Sequence, residues 1–425
     1  MTHTLHILAL WLGMTAGPDR PGADSARVAA LLDALARTDP VVCDLIGDQL
    51  GNFWQSGEGG LGRFTDAPNV QGAKDSLAGT ITDPRALSLL VGKLGADNAC
   101  VRRVAAKLLG NSNVAANVLS GLLDDASPRI RESAAYVAGV GERREVLAAL
   151  QRKLTDADPA PAAMAAWALG EIEDPRSGPA LQGAVRAASP RVRLAAVWAL
   201  GQLEDAAYAK DVLPFLRDQD PVMRAEAAEA LGQMKSPRVG PALVGALTDR
   251  NDAVRLAAVN ALSNIEEPSA AATLEALLIN DSNAEVRREC ANALGNLSQA
   301  RSLEPLARAL ADADTEVRRQ AANAIENLDD VTKAPPALVR AAASPDLELR
   351  RNATKALAHI ADVATAQVLA ERLTDDDREV RLAAVEGLGE MRVASAISGL
   401  TRALNDRDPE VRRAAAEALG KTQDN

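Results

Sequence analysis

The stretch DPEVRRAAAEALG, residues 408–420, is the phrase on which the fold of this chain turns. Asp408 and Pro409 read as an N-cap and a first-turn proline, whose missing N–H costs nothing at that place. The run that follows is rich in Ala, the best helix former and a side chain that lets neighbouring backbones approach. Gly420, after Leu419, reads as a stop at the C-terminal end. Just upstream, SAISGLTRALNDR (395–407) supplies a Leu/Ala helix and an Asp-bearing turn, so residues 395–422 form one helical hairpin.

The hairpin recurs along the chain. Aligning copies on the Arg of Val-Arg gives Arg102, Arg131, Arg193, Arg224, Arg255, Arg287, Arg318, Arg350, Arg381 and Arg412, with Ala162 where one copy lacks it. The step is 29 to 32 residues between neighbours, the length of a helix pair. TDPVVCDLIGDQLG (38–51) fits the same template with Cys43 at the arginine place, which brings the count to about twelve. One such hairpin cannot bury its apolar stripe, whereas stacked copies bury a continuous core. The period therefore predicts an all-α chain: a single α-solenoid of about twelve stacked helical hairpins over residues 23–425. A Gly-rich insertion at about 52–80 separates the first two copies and is expected to be a long loop.

DPEVRRAAAEALG and its copies resemble the HEAT repeat, in the short form found in bilin lyase subunits, over residues 24–421. The resemblance implies a right-handed, HEAT-like superhelix whose second helices line a concave groove. It also implies that the repeated arginines bond to aspartates of neighbouring turns, forming a structural ladder. Asp156, Asp218, Asp249, Asp312, Asp375 and Asp406 are available for that role. Function is less determined, because such arrays serve as scaffolds, adaptors, inhibitors and occasionally enzymes.

Composition narrows the classes. Apolar residues make up 47% of the chain but aromatic ones only 2%, and the net charge is −11, from 47 Lys+Arg against 58 Asp+Glu. That field repels nucleic acid and anionic membrane on average. The apolar run Leu5–Ala16, ahead of small residues near Gly17, fits an export signal that lacks its usual early Lys or Arg. Residues 1–22 are therefore a signal peptide or a leader, and an exported and a cytoplasmic location both stand. No later apolar run reaches the roughly 20 residues of a membrane span.

Catalytic motifs are sparse. GEGGLG (57–62) matches G-x-G-x-x-G but lacks the βαβ context that the dinucleotide fingerprint requires, so a loop is the better reading. His359 is the only histidine within the repeats, and no His-Glu metal pairs accompany it. No metal or cofactor is expected. Cys290 takes an Ala place on a core face and reads as a small buried hydrophobe. Cys43 and Cys100 fall near the ladder in successive copies, where a disulfide would replace a lost rung in an oxidising compartment. In the copy at 158–170, DPAPAAMAAWALG, the ladder is interrupted.

Specificity in an array of similar copies resides in the outward-facing columns. On a wheel at about 100° per residue, Val411, Ala415, Ala418 and Leu419 face the core while Arg413 and Glu417 lie opposite. The Glu417 column reads Lys107, Tyr136, Trp167, Trp198, Glu229, Asn260, Asn292, Asn323, Lys355, Glu386, Glu417. Two of the chain's four tryptophans thus share one place, AAWALGEI (165–172) and AAVWALGQL (195–203), and Tyr136 extends the row. The Arg413 column adds Leu194 beside the aromatics and Arg288, Arg319 and Arg351 beyond them. Aromatic residues dominate binding hot spots, and they also fill space between helices. The binding reading makes Tyr136, Trp167, Trp198 and Leu194 an apolar anchor, with Asn260, Asn292, Asn323 and the three arginines as polar contacts.

The expectation is a non-catalytic scaffold that holds a protein or peptide in its groove. The alternative is a lyase-like enzyme subunit, or a chaperone for a chromophore-bearing or cofactor-bearing protein.

Overall fold

The computed structural model describes residues 23–37, 81–328, 331, 333–360, 362–391 and 396–423. The leader, the copy at 38–51 with Cys43, and the Gly-rich insertion lie outside the described residues. Those described form α-helices and short 3₁₀ turns, with no strand among them. The chain divides into two compact units, Met1–Asp218 and Gln219–Asn425.

In the first unit the helices run α1 (Ala23–Ala36), α2 (Pro84–Val91), α3 (Ala99–Gly110), α4 (Ala116–Leu123), α5 (Pro128–Val140), α6 (Leu147–Lys153), α7 (Pro159–Ile172), α8 (Gly178–Ala184), α9 (Pro190–Gln202) and α10 (Ala209–Val212). The second unit contains α11 (Pro221–Gln233), α12 (Gly240–Ala246), α13 (Asp252–Asn264), α14 (Ala271–Asn280), α15 (Ala284–Asn296), α16 (Leu303–Ala309), α17 (Thr315–Glu326), α18 (Pro336–Ala341), α19 (Leu347–Ala358), α20 (Val363–Arg372), α21 (Arg378–Met391), α22 (Ile397–Ala403) and α23 (Pro409–Gln423). Short first helices alternate with longer second helices. Within each unit the second helices pack on first helices and on the second helices of neighbouring repeats, the packing of an α-solenoid.

The start of the second helices follows the caps read from sequence. Asp158 accepts the N–H of Ala160, Asp220 that of Val222, and Asp314 those of Glu316 and Val317, with proline in the first turn of α7 and α11. Each satisfies a donor that the first turn would otherwise leave orphaned.

The end is different from expectation. Gly170, Gly232 and Gly295 lie inside α7, α11 and α15, and the chain turns three residues later at Glu173, Lys235 and Ser298, whose φ values are 49°, 47° and 50°. Glu142, Glu204 and Glu266 occupy the same left-handed place in their repeats. The glycines serve close approach instead. A Cβ on Gly232 would stand 2.6 Å from Ala261 Cα, and one on Gly389 2.6 Å from Ala418 Cβ. The Leu-Gly of one repeat is thus the seat of the next repeat's helix.

A ladder of ion pairs runs along the turns. Arg131 Nε and Nη2 donate to Asp156 at 2.8 and 2.7 Å, and the same bidentate contact joins Arg224 to Asp249, Arg287 to Asp312, Arg350 to Asp375 and Arg381 to Asp406. Arg255 pairs with Asp281, an acceptor the sequence reading did not include. The remaining amino group reaches back to a carbonyl of the arginine's own turn, as Arg255 does to Asp249 and Arg381 to Asp375. Arg318 meets Ser344 where other repeats carry aspartate and turns to Glu348, 2.8 Å away, leaving its Nε buried and unbonded. Where Ala162 interrupts the arginines, Ala187 stands 25 residues on, at the acceptor's place, so both halves of that rung are absent together.

Candidate functional site

The columns on the second helices have different fates in the two units. In the first, the aromatic row is interior. Tyr136, Trp167 and Trp198 are 4%, 6% and 8% exposed, and Leu194 is buried beside them. The expected open apolar anchor is therefore corrected to a packed block. Its cause lies in the preceding repeat's glycine. Trp167 lays its six-membered ring over Gly139 and Trp198 over Gly170, so that a Cβ at either glycine would stand 2.5 Å from Cζ3. Tyr136 stacks on Trp167 with centroids 5.4 Å apart and planes 14° from parallel. Helix α7 has no exposed residue between Pro161 and Gly170, the burial expected of a helix that is apolar all round.

An ion pair closes this block. Arg191 of α9 reaches Glu132 of α5 at 3.4 Å, spanning α7 and its small, buried Ala163. Burial pushes the Glu132 carboxyl up from its ordinary range, opposed by Arg191 and Arg102. Burial likewise raises the Tyr136 phenol, with Glu171 nearby adding to it. These groups hold the unit together and present little to a ligand.

In the second unit the same face is polar. Part of it is tied up internally: Arg288 bonds Glu289 at 2.7 Å, Asn292 donates to Glu289, and Gln320 donates across the repeat to Asn292 at 3.1 Å. Arg351 makes a bidentate bond to Asp377, whose carboxyl it holds down at about 2. Arg319 bonds Glu316, and Asn260 is exposed.

Further along, α17, α19 and α21 border a depression of about 500 Å³. Its polar lining is Arg319, Asn323 and Glu326 from α17, Asn352, Lys355 and His359 around α19, and Glu386 from α21. Ala322, Ala358 and Ala383 complete its lining. Apart from Arg319, these polar side chains make no hydrogen bond or ion pair among the described residues. Asn323, Glu326, Lys355, His359 and Glu386 are exposed and Asn352 half-buried.

Of the expected polar contacts, this depression brings together Arg319 and Asn323; Asn260, Asn292, Arg288 and Arg351 stand outside its lining. Lys355 and Glu386 were visible as members of the column but carried no aromatic signal. Glu326 and His359 sit a turn beyond it, at the ends of their helices, where a wheel drawn on the column misses them. Cys290 is a free, fully buried thiol whose pKa burial raises. Cys100 is buried, and the pairing expected with Cys43 lies outside the described residues. No group of three or more His, Cys, Asp or Glu is placed to hold a metal, and no helix is long and apolar enough to cross a membrane, among the described residues.

Comparison with known proteins places this architecture. No curated protein matches the sequence. Importin beta has a similar structure at 14% identity and a TM-score of 0.53, over 99% of this chain and 63% of that one. An engineered protein aligns over 79% of this chain and 98% of its own at 22% identity and a TM-score of 0.46. The complex of CpcE and CpcF of phycocyanin lyase from Nostoc sp. PCC7120 aligns over 58% and 94% at 21% identity and a TM-score of 0.34. The profile of HEAT repeats matches residues 115–188, 145–218, 180–263, 209–295, 240–325, 272–358, 303–386 and 366–425. Together these matches span well over half of the sequence, and the chain belongs to the HEAT-repeat family.

Proposed function

We propose that this HEAT-repeat solenoid is a non-catalytic scaffold that binds a polypeptide partner on the second-helix face of its second unit. The observation that carries the reading is the contrast between the ladder, where guanidinium and carboxylate groups satisfy one another, and the depression on α17, α19 and α21. There, six polar side chains from three successive repeats stand without partners among the described residues. Amide, ammonium, imidazole and carboxylate groups in one shallow depression suit the mixed donors and acceptors of a peptide main chain and its side chains. A phosphate-rich ligand would call instead for convergent cations without the two carboxylates.

The test is capture of partners on the immobilised full chain, followed by hydrogen exchange with and without the captured polypeptide. Protection confined to 319–326, 352–359 and 383–390, and abolished by Asn323→Ala with Lys355→Ala, supports the assignment. Protection elsewhere, or binding indifferent to the double variant, refutes it.

A further inference from the structure

Resting on that reading, the arrangement of charge in the depression specifies the bound segment. The unpaired carboxylates, Glu326 and Glu386, belong to the two outer helices, α17 and α21. The unpaired ammonium of Lys355 and the imidazole of His359 belong to the middle helix, α19. A ligand crossing the three helices therefore meets negative, positive and negative in turn. Asn323, Lys355 and Glu386 each stand five residues after their ladder arginine, Arg318, Arg350 and Arg381, so this column recurs once per repeat, and Glu326 stands one turn beyond Asn323, so the path from Glu326 to Lys355 and Glu386 is oblique to the column.

Helices in close contact lie about 8–10 Å apart; α17 packs on α19 and α19 on α21, and at the second joint a Cβ on Gly387 would stand 2.7 Å from Ala358 Cβ. A polyproline II segment advances about 9.3 Å in its three-residue turn and returns side chains i, i+3 and i+6 to one side. A β-strand covers a similar distance in three residues, but its alternation sends i and i+3 to opposite sides. Only the first geometry presents one side chain to each helix in succession.

We infer that the depression on α17, α19 and α21 takes a polyproline II segment of a partner carrying basic, acidic and basic side chains at i, i+3 and i+6. The basic residues face Glu326 and Glu386, and the acidic one faces Lys355 and His359. The charge order is the same read from either end, so the segment fits in both chain directions. The carboxamides of Asn323 and Asn352 bond its main chain, which in this conformation makes no internal hydrogen bonds.

Three fluorescently labelled, proline-rich twelve-residue peptides test the register by anisotropy with the full chain. One carries Lys-Pro-Pro-Glu-Pro-Pro-Lys, one the charge-inverted Glu-Pro-Pro-Lys-Pro-Pro-Glu, and one the compressed Lys-Pro-Glu-Pro-Lys. The first binds at least tenfold more tightly than the other two. In the variant combining Glu326→Lys, Lys355→Glu and Glu386→Lys, the inverted peptide becomes the preferred ligand. All three changes fall on exposed side chains, so circular dichroism should be unchanged. Equal affinities, or a preference that the triple variant does not reverse, overturn the register. If a captured partner still protects the three helices in that case, groove binding stands and only the register falls. If no peptide binds and no partner protects them, both fall.

Discussion

Gly170→Ala and Gly183→Ala are the same substitution in neighbouring helices, and the structure gives them opposite signs. Both glycines are helical, and replacing such a glycine by alanine gains up to about 1 kcal/mol from backbone propensity. At Gly183, in α8, the added Cβ meets nothing within 4 Å, so the gain stands and stability rises by about 0.5–1 kcal/mol. At Gly170 the same atom would lie 2.5 Å from Trp198 Cζ3 and 3.0 Å from Ala199 Cα. The Trp198 ring is 8% exposed, and the Ala199 contact is main chain, so neither can yield without moving α9. Overpacking of this kind costs about 1–3 kcal/mol; at about 2 kcal/mol, the middle of that range, it outweighs a propensity gain of about 1 kcal/mol and leaves a net loss of about 1 kcal/mol. Repeat arrays need not unfold in one step, so urea titration by far-UV circular dichroism should be joined to hydrogen exchange resolved over α7 and α9. The reasoning fails if Gly170→Ala protects these amides as Gly183→Ala protects those of α8. That result would mean that α9 does not seat on the glycine.

Trp198→Ala should destabilise the first unit by about 3–5 kcal/mol, as truncations of buried aromatic side chains do, measured by the same titration; an unchanged midpoint would restore the open-patch reading. Acid should weaken the ladder and the separate Arg351–Asp377 pair: Arg224 holds Asp249 below the usual carboxylate range and Arg351 holds Asp377 at about 2. A carboxylate whose pKa is lower folded than unfolded contributes stability that is complete above the unfolded value, about 3.9, and is lost as pH falls through the folded one. Midpoints should therefore hold near neutrality and drop from about pH 4 toward pH 2, with a smaller drop and a lower neutral value in Asp249→Asn. Glu204→Gly and Lys235→Gly, at left-handed turns with φ of 50° and 47°, should each raise stability by about 0.5–1 kcal/mol, read as a shift in urea midpoint. We propose that Cys43 and Cys100 are bonded when the chain is in an oxidising compartment: thiol titration of the unreduced, denatured protein from such a compartment should then find one free thiol, from Cys290, and three would reject the pairing.

The parts legible in the sequence were those set by local chemistry repeated many times. Asp-Pro at the helix starts signalled caps because capping is decided within four residues, and Arg224 could be matched to Asp249 because the resemblance to HEAT repeats implies an Arg–Asp ladder. The errors arose where two repeats meet. Gly170 looked like a stop because glycine after Leu-rich helices commonly ends them, whereas the turn falls on Glu173, which carries no signature of a left-handed residue. A wheel drawn on one helix placed Trp167 outward, and nothing in it shows that Gly139 of the preceding helix leaves room for the ring. Asp281 escaped notice because it stands 26 residues beyond Arg255, where most rungs span 25. The depression on α17, α19 and α21 was legible only in part, since Glu326 and His359 reach it from helix ends, off the column's axis.

Each Arg–Asp rung of the ladder takes its donor from one copy and its acceptor from the next, and among copies that carry both the aspartate and the arginine it does not matter which two are joined. Excising residues 250–281 would leave Arg224 bonded to Asp249 and bring Ser282 directly after it, with Arg287 still 25 residues ahead of Asp312. The joint is a standard coupling, and a gene encoding it can gain or lose whole copies by unequal recombination without leaving a mismatched end. Length is then free to drift while the fold persists, and selection on such a chain acts chiefly on which side chains successive copies set along its outer columns.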